Sequence, residues 1–411
     1  MKQIKRSIRT SPRVSLILID WSVRESFHIL HYLSGQDVER ELFEVVVIEY
    51  YSKVSKAVSL FEGQVDSWIL LEMPDDCYYH KHLMYNAGIV ASNGDICVIC
   101  DSDSMVKPSF IRSIISEMDS NSNSVIHLDQ FRNERKDFYP FAYPDFLEVT
   151  GKGCINNFMG KTIGLADEMD TIHTRNYGAC MCARRVDLIK IGGSDEHNDY
   201  LGHICGPYEM TFRLVNSGCR EVWHQNEFTY HTWHPGQAGE ANYLGPHDGR
   251  HVSTTALNSL ITGKILPLNE NSSIQKLRLE PKKICGIESF QIKESNFLNW
   301  KQENLKKENY WKYLAKELKT YRGFVIRKEN DEFFSYPRFV EMQEFNKFAE
   351  KSKIYAKTEK ELRQKIDNLV EIKFKVLYLI ITLAAIFLKS MNVVASYLRR
   401  RWIRVIYKAR I

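Results

Sequence analysis

No uninterrupted apolar run of about 20 residues, the length that a membrane-spanning helix needs, occurs in this 411-residue sequence. The nine cysteines are an odd number and contain no C-x-x-C…C-x-x-C zinc pattern. The one C-x-x-C, formed by Cys97 and Cys100, lies in a short apolar run where buried thiols are ordinary. With 44% apolar and 26% charged residues, these absences exclude a multi-spanning membrane protein and a wholly disordered chain.

The N-terminal segment is basic, but it does not have the pattern of a signal peptide. The apolar run that follows it, Val14 to Ile19, is too short for a signal-peptide core and ends at Asp20 without a cleavage motif. Together with the scattered, unpaired cysteines, this predicts a protein of the reducing cytoplasm.

Charge is divided unevenly along the chain. Residues 351–411 hold fifteen Lys or Arg and four Asp or Glu, a surplus of +11, so the rest of the chain carries −6 of the total of +5. No proline or glycine occurs after Pro337, which predicts long helices there. In that region Arg400, Arg404 and Lys408 recur every four residues beside apolar residues at helical spacing, as in a helix lying on an anionic membrane surface.

Two other interpretations of this basic tail stay open. The thirteen uncharged residues from Val376 to Leu388 could belong to a core or oligomerisation helix, because thirteen are too few to span a bilayer. A basic tail is also compatible with nucleic-acid binding, although no recognisable nucleic-acid-binding module accompanies it. We expect peripheral association with the inner face of the cell membrane and no nucleic-acid partner; the sequence leaves the oligomeric state open.

Short apolar, β-branched runs predict an α/β fold with a largely parallel sheet. The predicted strands are Val14–Ile19, Phe43–Ile48, Trp68–Leu71, Asp95–Cys100, Val125–Leu128 and Tyr177–Ala183. A helix is predicted from His80 to Ser92, ended by Asn93-Gly94. We predict a first domain over residues 1–260, an irregular accessory segment over 261–338, and a helical C-terminal region over 339–411.

Two carboxylates follow the fourth of these predicted strands. Asp101-Ser102-Asp103 comes directly after it, at the carboxyl end where open α/β sheets bind their ligands. Carboxylates one residue apart can hold a hard divalent cation, and such a cation can neutralise a diphosphate. Acidic loops are commonly only solvated turns, so the position at a strand end is what makes this D-x-D a candidate Mn²⁺ or Mg²⁺ site.

With this D-x-D, residues 14 to about 236 resemble the GT-A-fold glycosyltransferases of the family 2 type. The first strand and the residues after it, ending in Asp20-Trp21, are similar to the family's strand that meets the nucleotide base, with Trp21 at the aromatic position. Glu49 stands where the family has acidic residues near the uracil and ribose, and one of the usual two is missing. Asn86-Ala87-Gly88 matches the end of the family's A-R-N-x-G helix. The resemblance implies donor binding by these residues.

In the family's D-x-D the second aspartate binds manganese or magnesium and the first reaches the ribose. The resemblance therefore implies a metal at Asp103, joined by Asp101, which we also expect to contact the donor. Farther along, Gly192-Gly193-Ser194-Asp195-Glu196 resembles the family's G-G-x-D-E, in which small residues let the chain approach the donor sugar. A turn after a helix is the alternative interpretation of that segment.

The family's next motif, E-D-x-D-L-x-x-R, contains the general base in its leading acidic pair. Here Glu209 and Arg213 match the later acid and the arginine, but Gly206 and Pro207 replace the leading pair. Glu209 lies in the first turn of a helix predicted from Pro207 to about Ser217, and it could take the acceptor proton or simply pair with Arg213. Asp195 is the second candidate for the base and Glu196 the third.

Five of the thirteen histidines lie between His224 and His251. Among them His231 and His234 form an H-x-x-H that resembles the histidine with which GT-A enzymes complete their metal site. We favour His231 as a ligand, keep His234 open, and retain a structural role as the alternative. Trp233, between them, is expected to cover the sugar or the core.

These features predict a cytoplasmic, metal-dependent, inverting glycosyltransferase. It would move a sugar from a nucleotide-diphosphate sugar, a UDP-sugar first, to a saccharide or lipid-linked acceptor in surface-polysaccharide or glycoconjugate synthesis. One rival is a sugar nucleotidyltransferase, but the glycine-rich loop of such enzymes is missing from Trp21 to Ser26. Another is a catalytically inactive scaffold, which the substitution at Gly206-Pro207 supports.

Overall fold

A computed structural model describes residues 1–22, 26–75, 77, 79–139, 142–162, 164, 177–197, 200, 207–234, 264–292, 319–321, 324–329, 332–337 and 354–373. They belong to two compact units. The first contains the described residues up to 292, and the second contains those from 319 to 373.

The strands, β1 to β17 in chain order, are Lys2–Arg6, Val14–Asp20, Phe43–Tyr51, Ser67–Met73, Ile96–Cys100, Ser104–Val106, Ser124–His127, Gln130–Asn133, Asn157–Phe158, Lys161–Thr162, Cys180–Arg184, Arg220–Trp223, Thr229–Thr232, Lys319–Tyr321, Phe324–Glu329, Glu332–Pro337 and Ile354–Ala356. The α-helices, α1 to α9, are His28–Leu33, Lys56–Ser59, Lys81–Ala91, Phe110–Ser120, Phe146–Thr150, Arg185–Lys190, Tyr208–Asn216, Ser272–Leu277 and Glu359–Lys373.

A central sheet of eight strands, in the order β1-β4-β3-β2-β5-β11-β7-β12, confirms the predicted α/β fold class. Strands β4, β3, β2 and β5 are mutually parallel, whereas β11 runs antiparallel to both of its neighbours. The D-x-D follows the fifth strand in the chain, and not the fourth, because Lys2–Arg6 forms an antiparallel edge strand on β4. Three of its five residues are basic and the strand is only partly buried, so its sequence carries no apolar alternation.

The inner strands of this sheet are mostly apolar because both of their faces are covered. Every residue of β2 and β5 is buried. Alternate residues point to opposite sides: Ile17 packs with α3, and its neighbour Leu16 packs in the cluster that contains residues of α1 and α4. Helix α3 lies so close to β2 that a Cβ on Gly88 would stand 2.4 Å from Ile17 Cγ2.

A smaller sheet of three strands, in the order β6-β13-β8, carries two rows of side chains on opposite faces. One row is apolar and packs in a buried cluster: Met105, Tyr230 and Phe131. The adjacent row, which we call the polar row, consists of Ser104, His231 and Arg132, again in direct cross-strand register. The tight packing of the apolar row therefore directs the three polar side chains to the other face.

The segment 264–292 belongs to the first unit. Its helix α8 contributes Ile274 and Leu277 to the core cluster that also contains residues of α3 and α6. Asn271 caps α8 through a hydrogen bond that its side chain accepts from Ser273 N. The domain boundaries predicted from the sequence, after residues 260 and 338, stay a prediction.

The second unit contains an antiparallel sheet in the order β14-β15-β16-β17, on which α9 packs through Leu362 and Ile366. Strand β17 lies inside the region that we predicted to be helical, because the absence of Pro and Gly permits a helix without requiring one. The described residues contain no helix long and apolar enough to cross a membrane. The predicted membrane-surface helix falls in residues 374–411, outside the described part of the chain.

All eight cysteines in the described part of the chain are free thiols. Burial raises the pKa of Cys97 to about 12, and the pKa of Cys100 is raised well above its usual value for the same reason. Both thiols are therefore protonated and inert at neutral pH, which supports the buried-core interpretation of this C-x-x-C.

Candidate functional site

Asp103, His231 and His234 come together beside the carboxyl end of the parallel strands, where β5 ends. One ligand-type atom from each residue lies within 4.8 Å of the other two. His234 Nε2 is 2.8 Å from Asp103 Oδ2, and His231 Nε2 is 3.5 Å from the same oxygen. His231 lies in β13, and His234 reaches the same carboxylate from the segment just beyond the end of that strand.

The chemistry of this group fits a divalent cation. A cation with ligands at about 2.1 Å places neighbouring donor atoms about 3 Å apart, so small movements of these three side chains would close a coordination shell. Burial lowers the pKa of His231 to about 4, which keeps its imidazole neutral and able to donate a lone pair at neutral pH. Asp103 is also buried, with 6% of its surface exposed, so the site is sheltered from bulk water.

Asp101, the other carboxylate of the D-x-D, lies outside this three-residue group of described side chains. Its backbone N–H donates to Ala179 O at 3.1 Å, and its carbonyl accepts from Ser104 N at 3.2 Å. Between the two aspartates, Ser102 donates its hydroxyl to Ile19 O at 2.9 Å. Asp101 therefore shapes the turn that presents Asp103, and its assignment as a metal or donor ligand stays a prediction.

Asn86 connects two of the predicted motifs. Its amide Nδ2 donates to Ser194 O and to Glu196 Oε1, both at 2.8 Å, and its Oδ1 accepts from Ser194 N at 2.7 Å. Gly193, in the same turn, has φ +68°, and a Cβ there would stand 2.4 Å from Asn86 Oδ1. Gly192 also has positive φ, at +85°, with Pro267 Cδ at 2.5 Å from the position of a Cβ. The two glycines thus allow the turn to close on α3 and on residue 267.

Asp195 and Glu196, two of the three candidate bases, are buried and tie the turn to the segment after residue 264. Asp195 accepts from the backbone N–H groups of His197, Leu268 and Asn269 at 2.9 to 3.0 Å. Burial, followed by the charge of Glu209, raises the pKa of Asp195, and the backbone donors oppose that shift. The Oε1 of Glu196 accepts from Asn271 Nδ2 at 3.0 Å besides Asn86.

Glu209 and Arg213 form a fully buried ion pair one turn apart on α7. Arg213 donates from Nε to one carboxylate oxygen and from NH2 to the other, the latter at 2.8 Å. The remaining guanidinium hydrogens bind the carbonyl oxygens of Ile191 and Gly193, with Ile265 O at 3.1 Å. Both oxygens of Glu209 therefore accept hydrogen bonds from Arg213, and Arg213 in turn binds the backbone of the glycine turn.

The residues predicted to contact the nucleotide lie at the ends of β2 and β3. Asp20 accepts from Trp21 N at 2.9 Å. The Trp21 ring stacks on Tyr79 with centroids 4.4 Å apart, and Lys81 Nζ lies 4.8 Å from its centroid. Trp21 is only 4% exposed, so a base stacking on this ring would have to displace one of its present neighbours.

Glu49 is buried at the end of β3. It accepts from Trp68 Nε1 at 2.6 Å and from Ser55 N at 3.1 Å. Burial raises its pKa to about 7, against the two donors, with a smaller contribution from Asp20. Its place near the nucleotide stays a prediction, but the carboxyl group is poised to change its charge near neutral pH.

Trp233 is half-buried and packs on residues 136–139. Its ring lies 5.7 Å from Tyr139, edge to face, and Lys136 Nζ lies 4.9 Å from its centroid. The expectation that Trp233 covers the sugar stays a prediction.

Arg132 and His28 were missed by the sequence analysis. Arg132 stands beside His231 in the polar row. His28, in α1, is 7% exposed and interacts electrostatically with Asp103 and His234. Burial lowers the pKa of His28, and Asp103 opposes that shift. The only signal in the sequence was the alternation of Gln130 to Asn133, which shows that Phe131 and Arg132 face opposite sides without showing what lies there.

No protein-family model and no curated protein matches the sequence. Among solved structures the chain is similar to S. aureus TarS 1–349 in complex with UDP-GlcNAc, with 12% identity, a TM-score of 0.40, and coverage of 78% of this chain and 95% of that one. It is also similar to the mannosyltransferase PcManGT from Pyrobaculum calidifontis in complex with GDP-Man and Mn²⁺, with 13% identity, a TM-score of 0.39, and coverage of 78% and 80%. At such low TM-scores the likeness assigns neither substrate nor reaction.

Proposed function

We propose that this chain is a metal-dependent glycosyltransferase that moves a sugar from a nucleotide-diphosphate sugar to an acceptor hydroxyl with inversion. The observation that supports this most is the group of Asp103, His231 and His234 beside the carboxyl end of β5. The position of that group beside the parallel strands β4-β3-β2-β5 supports the proposal, because open α/β sheets bind their ligands at the carboxyl ends of such strands. The motif resemblance to GT-A enzymes of family 2 supplies the reaction class, with a UDP-sugar as the first donor to test.

The three side chains would hold the cation, and a bound cation would neutralise the negative charge of the departing diphosphate. Two imidazoles and one carboxylate suit Mn²⁺ better than Mg²⁺, because Mg²⁺ prefers oxygen ligands. Of the three ligands, Asp103 carries the negative charge. His231 is neutral at neutral pH, so its lone pair is free to bind the cation without first losing a proton.

Transfer also requires a base for the acceptor hydroxyl proton. Of the three candidates we propose Asp195 as the base, because Glu209 forms a fully buried ion pair with Arg213, whereas Asp195 accepts only from backbone N–H groups among the described residues. Burial and the nearby charge of Glu209 raise the pKa of Asp195, which makes its carboxylate a stronger base. Its three backbone donors orient the group, and a carboxylate still has a further acceptor position.

The acceptor and the cellular location rest on the tail. A basic amphipathic helix would dock the protein on the anionic inner face of the cell membrane, where lipid-linked saccharides are assembled into surface polysaccharides. Removal of residues 374–411 should abolish co-sedimentation with anionic liposomes and leave the binding of soluble nucleotide unchanged. Unchanged co-sedimentation would contradict the assignment of the tail as the anchor.

One observation favours a second candidate, an inactive scaffold of the same fold. Asp195, Glu196 and Glu209 all accept hydrogen bonds within the protein, and Gly206-Pro207 replaces the acidic pair that carries the base in the family. Such a protein would bind nucleotide and metal but would not transfer sugar.

A thermal-shift series with UDP, GDP and CMP, with and without Mn²⁺, separates these candidates from a protein of unrelated function. We expect a rise in melting temperature that needs both nucleotide and Mn²⁺ and that disappears in Asp103→Asn. Asp119→Asn is the matched control, since that exposed carboxylate pairs with Arg13 alone among the described residues. Turnover or slow hydrolysis of a nucleotide sugar then identifies the enzyme; binding without either supports the scaffold, and no metal-dependent shift contradicts both.

A further inference from the structure

Arg132 is an arginine whose position beside the candidate metal site needs an explanation. It lies in β8 directly opposite His231 of the parallel strand β13. Paired residues of neighbouring strands point to the same face of a sheet, so the guanidinium and the His231 imidazole leave the sheet on the same side. Its neighbour Phe131 points the other way, into the apolar cluster with Tyr230, which fixes the orientation of the strand.

Among the described residues, the Arg132 guanidinium is incompletely hydrogen-bonded. Arg132 Nε is buried and has no hydrogen-bond partner among the described residues. The hydroxyl of Ser104, on the other side of His231 in the polar row, is also buried and without a partner in the described part of the chain. A buried N–H without a hydrogen-bond partner costs free energy. Such a donor therefore points to a ligand that would accept its hydrogen bond.

Arg132 interacts electrostatically with both aspartates of the D-x-D. Burial lowers the pKa of the guanidinium, and the carboxylates of Glu134, Asp103 and Asp101 raise it. Glu134 is exposed, so water and salt screen its charge, whereas Asp103 is buried. The charges of Arg132, Asp101 and Asp103 add to about −1, and a divalent cation would change that to about +1. The site therefore becomes attractive to an anion only after the cation is bound.

We propose that Arg132 is an anion-binding residue that holds a phosphate group beside the metal held by Asp103, His231 and His234. A planar guanidinium can give two parallel hydrogen bonds to a phosphate, and it keeps its charge even when partly buried. The proposal deepens the function proposed above and rests on it for the identity of the ligand. The phosphate could belong to the diphosphate of the donor or to a phosphate group of the acceptor, and the same chemistry serves both.

The test uses the full-length protein and two inorganic probes in calorimetric titrations. In the first arm, inorganic pyrophosphate is titrated into protein saturated with Mn²⁺. In the second arm, inorganic phosphate is titrated into protein already saturated with Mn²⁺ and pyrophosphate. Arg132→Gln should weaken the first binding about ten- to a hundred-fold if Arg132 holds the donor diphosphate, and the second by that factor if it holds an acceptor phosphate.

Control variants separate an effect on anion binding from an effect on folding. Arg132→Lys keeps the charge but loses the fork of donors, so it should lose less affinity than Arg132→Gln. Arg135→Gln, on the same segment, removes a partly exposed side chain that pairs with Asp137 and lies over the Phe138 ring, and it should leave both titrations unchanged. The affinity for Mn²⁺ alone, followed by electron paramagnetic resonance, should not fall in any of these variants, because none of them removes a proposed metal ligand.

Unchanged affinity for both probes in Arg132→Gln would overturn the proposal, as would a wild-type protein that binds neither probe. Failure of the glycosyltransferase proposal is distinguishable. A wild-type protein that binds pyrophosphate through Arg132 but shows no Mn²⁺-dependent binding of UDP, GDP or CMP would contradict the nucleotide-sugar assignment and leave the anion site standing.

Discussion

Asn86 and Ser194 exchange two hydrogen bonds, from Asn86 Nδ2 to the Ser194 carbonyl at 2.8 Å and from Ser194 N–H to Asn86 Oδ1 at 2.7 Å. Asn86 lies in α3 and Ser194 lies in the turn after α6, 108 residues farther along the chain. The side-chain amide of Asn86 thus forms the pair of hydrogen bonds with Ser194 that the backbone of a neighbouring strand would form. It fixes the backbone that carries Asp195 and Glu196.

Replacement of Asn86 by alanine should lower the free energy of unfolding by about 3 kcal/mol or more. The Ser194 N–H and carbonyl and one oxygen of Glu196 would be left buried without this partner, at about 1 to 3 kcal/mol for each group. Urea unfolding measures the loss. Asn157→Ala is the control, since Asn157 is exposed and, in the described part of the chain, its side-chain amide binds no group other than Thr150 O and Gly160 N. Equal losses in the two variants would contradict the role of Asn86.

Gly193→Ala should destabilise the protein more than Gly160→Ala. Both glycines have positive φ, +68° and +77°, so alanine should cost about 1 to 2 kcal/mol at each. A Cβ at position 160 has no atom within 4 Å, whereas one at position 193 stands 2.4 Å from Asn86 Oδ1. That clash should add a further 1 to 3 kcal/mol, roughly. Urea unfolding of the two variants tests the difference, and equal values would show that Asn86 can move away at no cost.

Glu209→Gln distinguishes a structural role from catalysis. If Glu209 mainly holds Arg213, removal of its charge leaves a buried guanidinium without its counter-ion, and the free energy of unfolding should fall by about 3 to 5 kcal/mol. Glu359 and Arg363 form a pair of the same spacing on α9, but it is partly exposed, so Glu359→Gln should cost about 1 kcal/mol or less. A variant of wild-type stability whose turnover falls at least about a hundred-fold would instead make Glu209 the base.

The inner strands of the central sheet could be predicted because burial of both faces leaves continuous apolar runs, as in Val14–Asp20 and Ile96–Cys100, whereas the edge strand Arg220–Trp223 was missed. The predicted end of one of these strands, at Cys100, also located the D-x-D that follows it. Edge strand Lys2–Arg6 could not be predicted, because a partly exposed strand with one covered side and three basic residues has no distinctive pattern.

The side chains that assemble the site were harder to predict, because they depend on contacts between distant segments. The H-x-x-H spacing did not show that His234 turns back to the carboxylate that His231 approaches. Arg132 faces His231 only because β8 pairs with β13 about 100 residues later. Likewise, the partners of Asp195 include Leu268 and Asn269, in a segment to which the sequence assigned no role. Local patterns give the strands and the motif positions, whereas register and long-range hydrogen bonds decide which side chains meet.

The stability of the protein should depend on pH through Glu49. Its pKa is raised by burial from 4.5 to about 7, so between these values the folded state holds a proton that the unfolded state has released. The free energy of unfolding should therefore fall as pH rises from 4.5 to 7, by up to about 3 kcal/mol from this group, and be unaffected by it outside that window.

Glu49→Gln isolates this contribution, because glutamine cannot ionise and can still accept a hydrogen bond from Trp68 Nε1. Relative to the wild type, the variant should gain stability from pH 5 to about pH 7 in urea unfolding and gain no more at higher pH. Glu41→Gln serves as the control, since that carboxylate is largely exposed and paired only with Arg9 among the described residues. Parallel pH profiles for the wild type and Glu49→Gln would mean that burial does not raise the pKa of Glu49, and that its carboxylate is already charged when a nucleotide arrives.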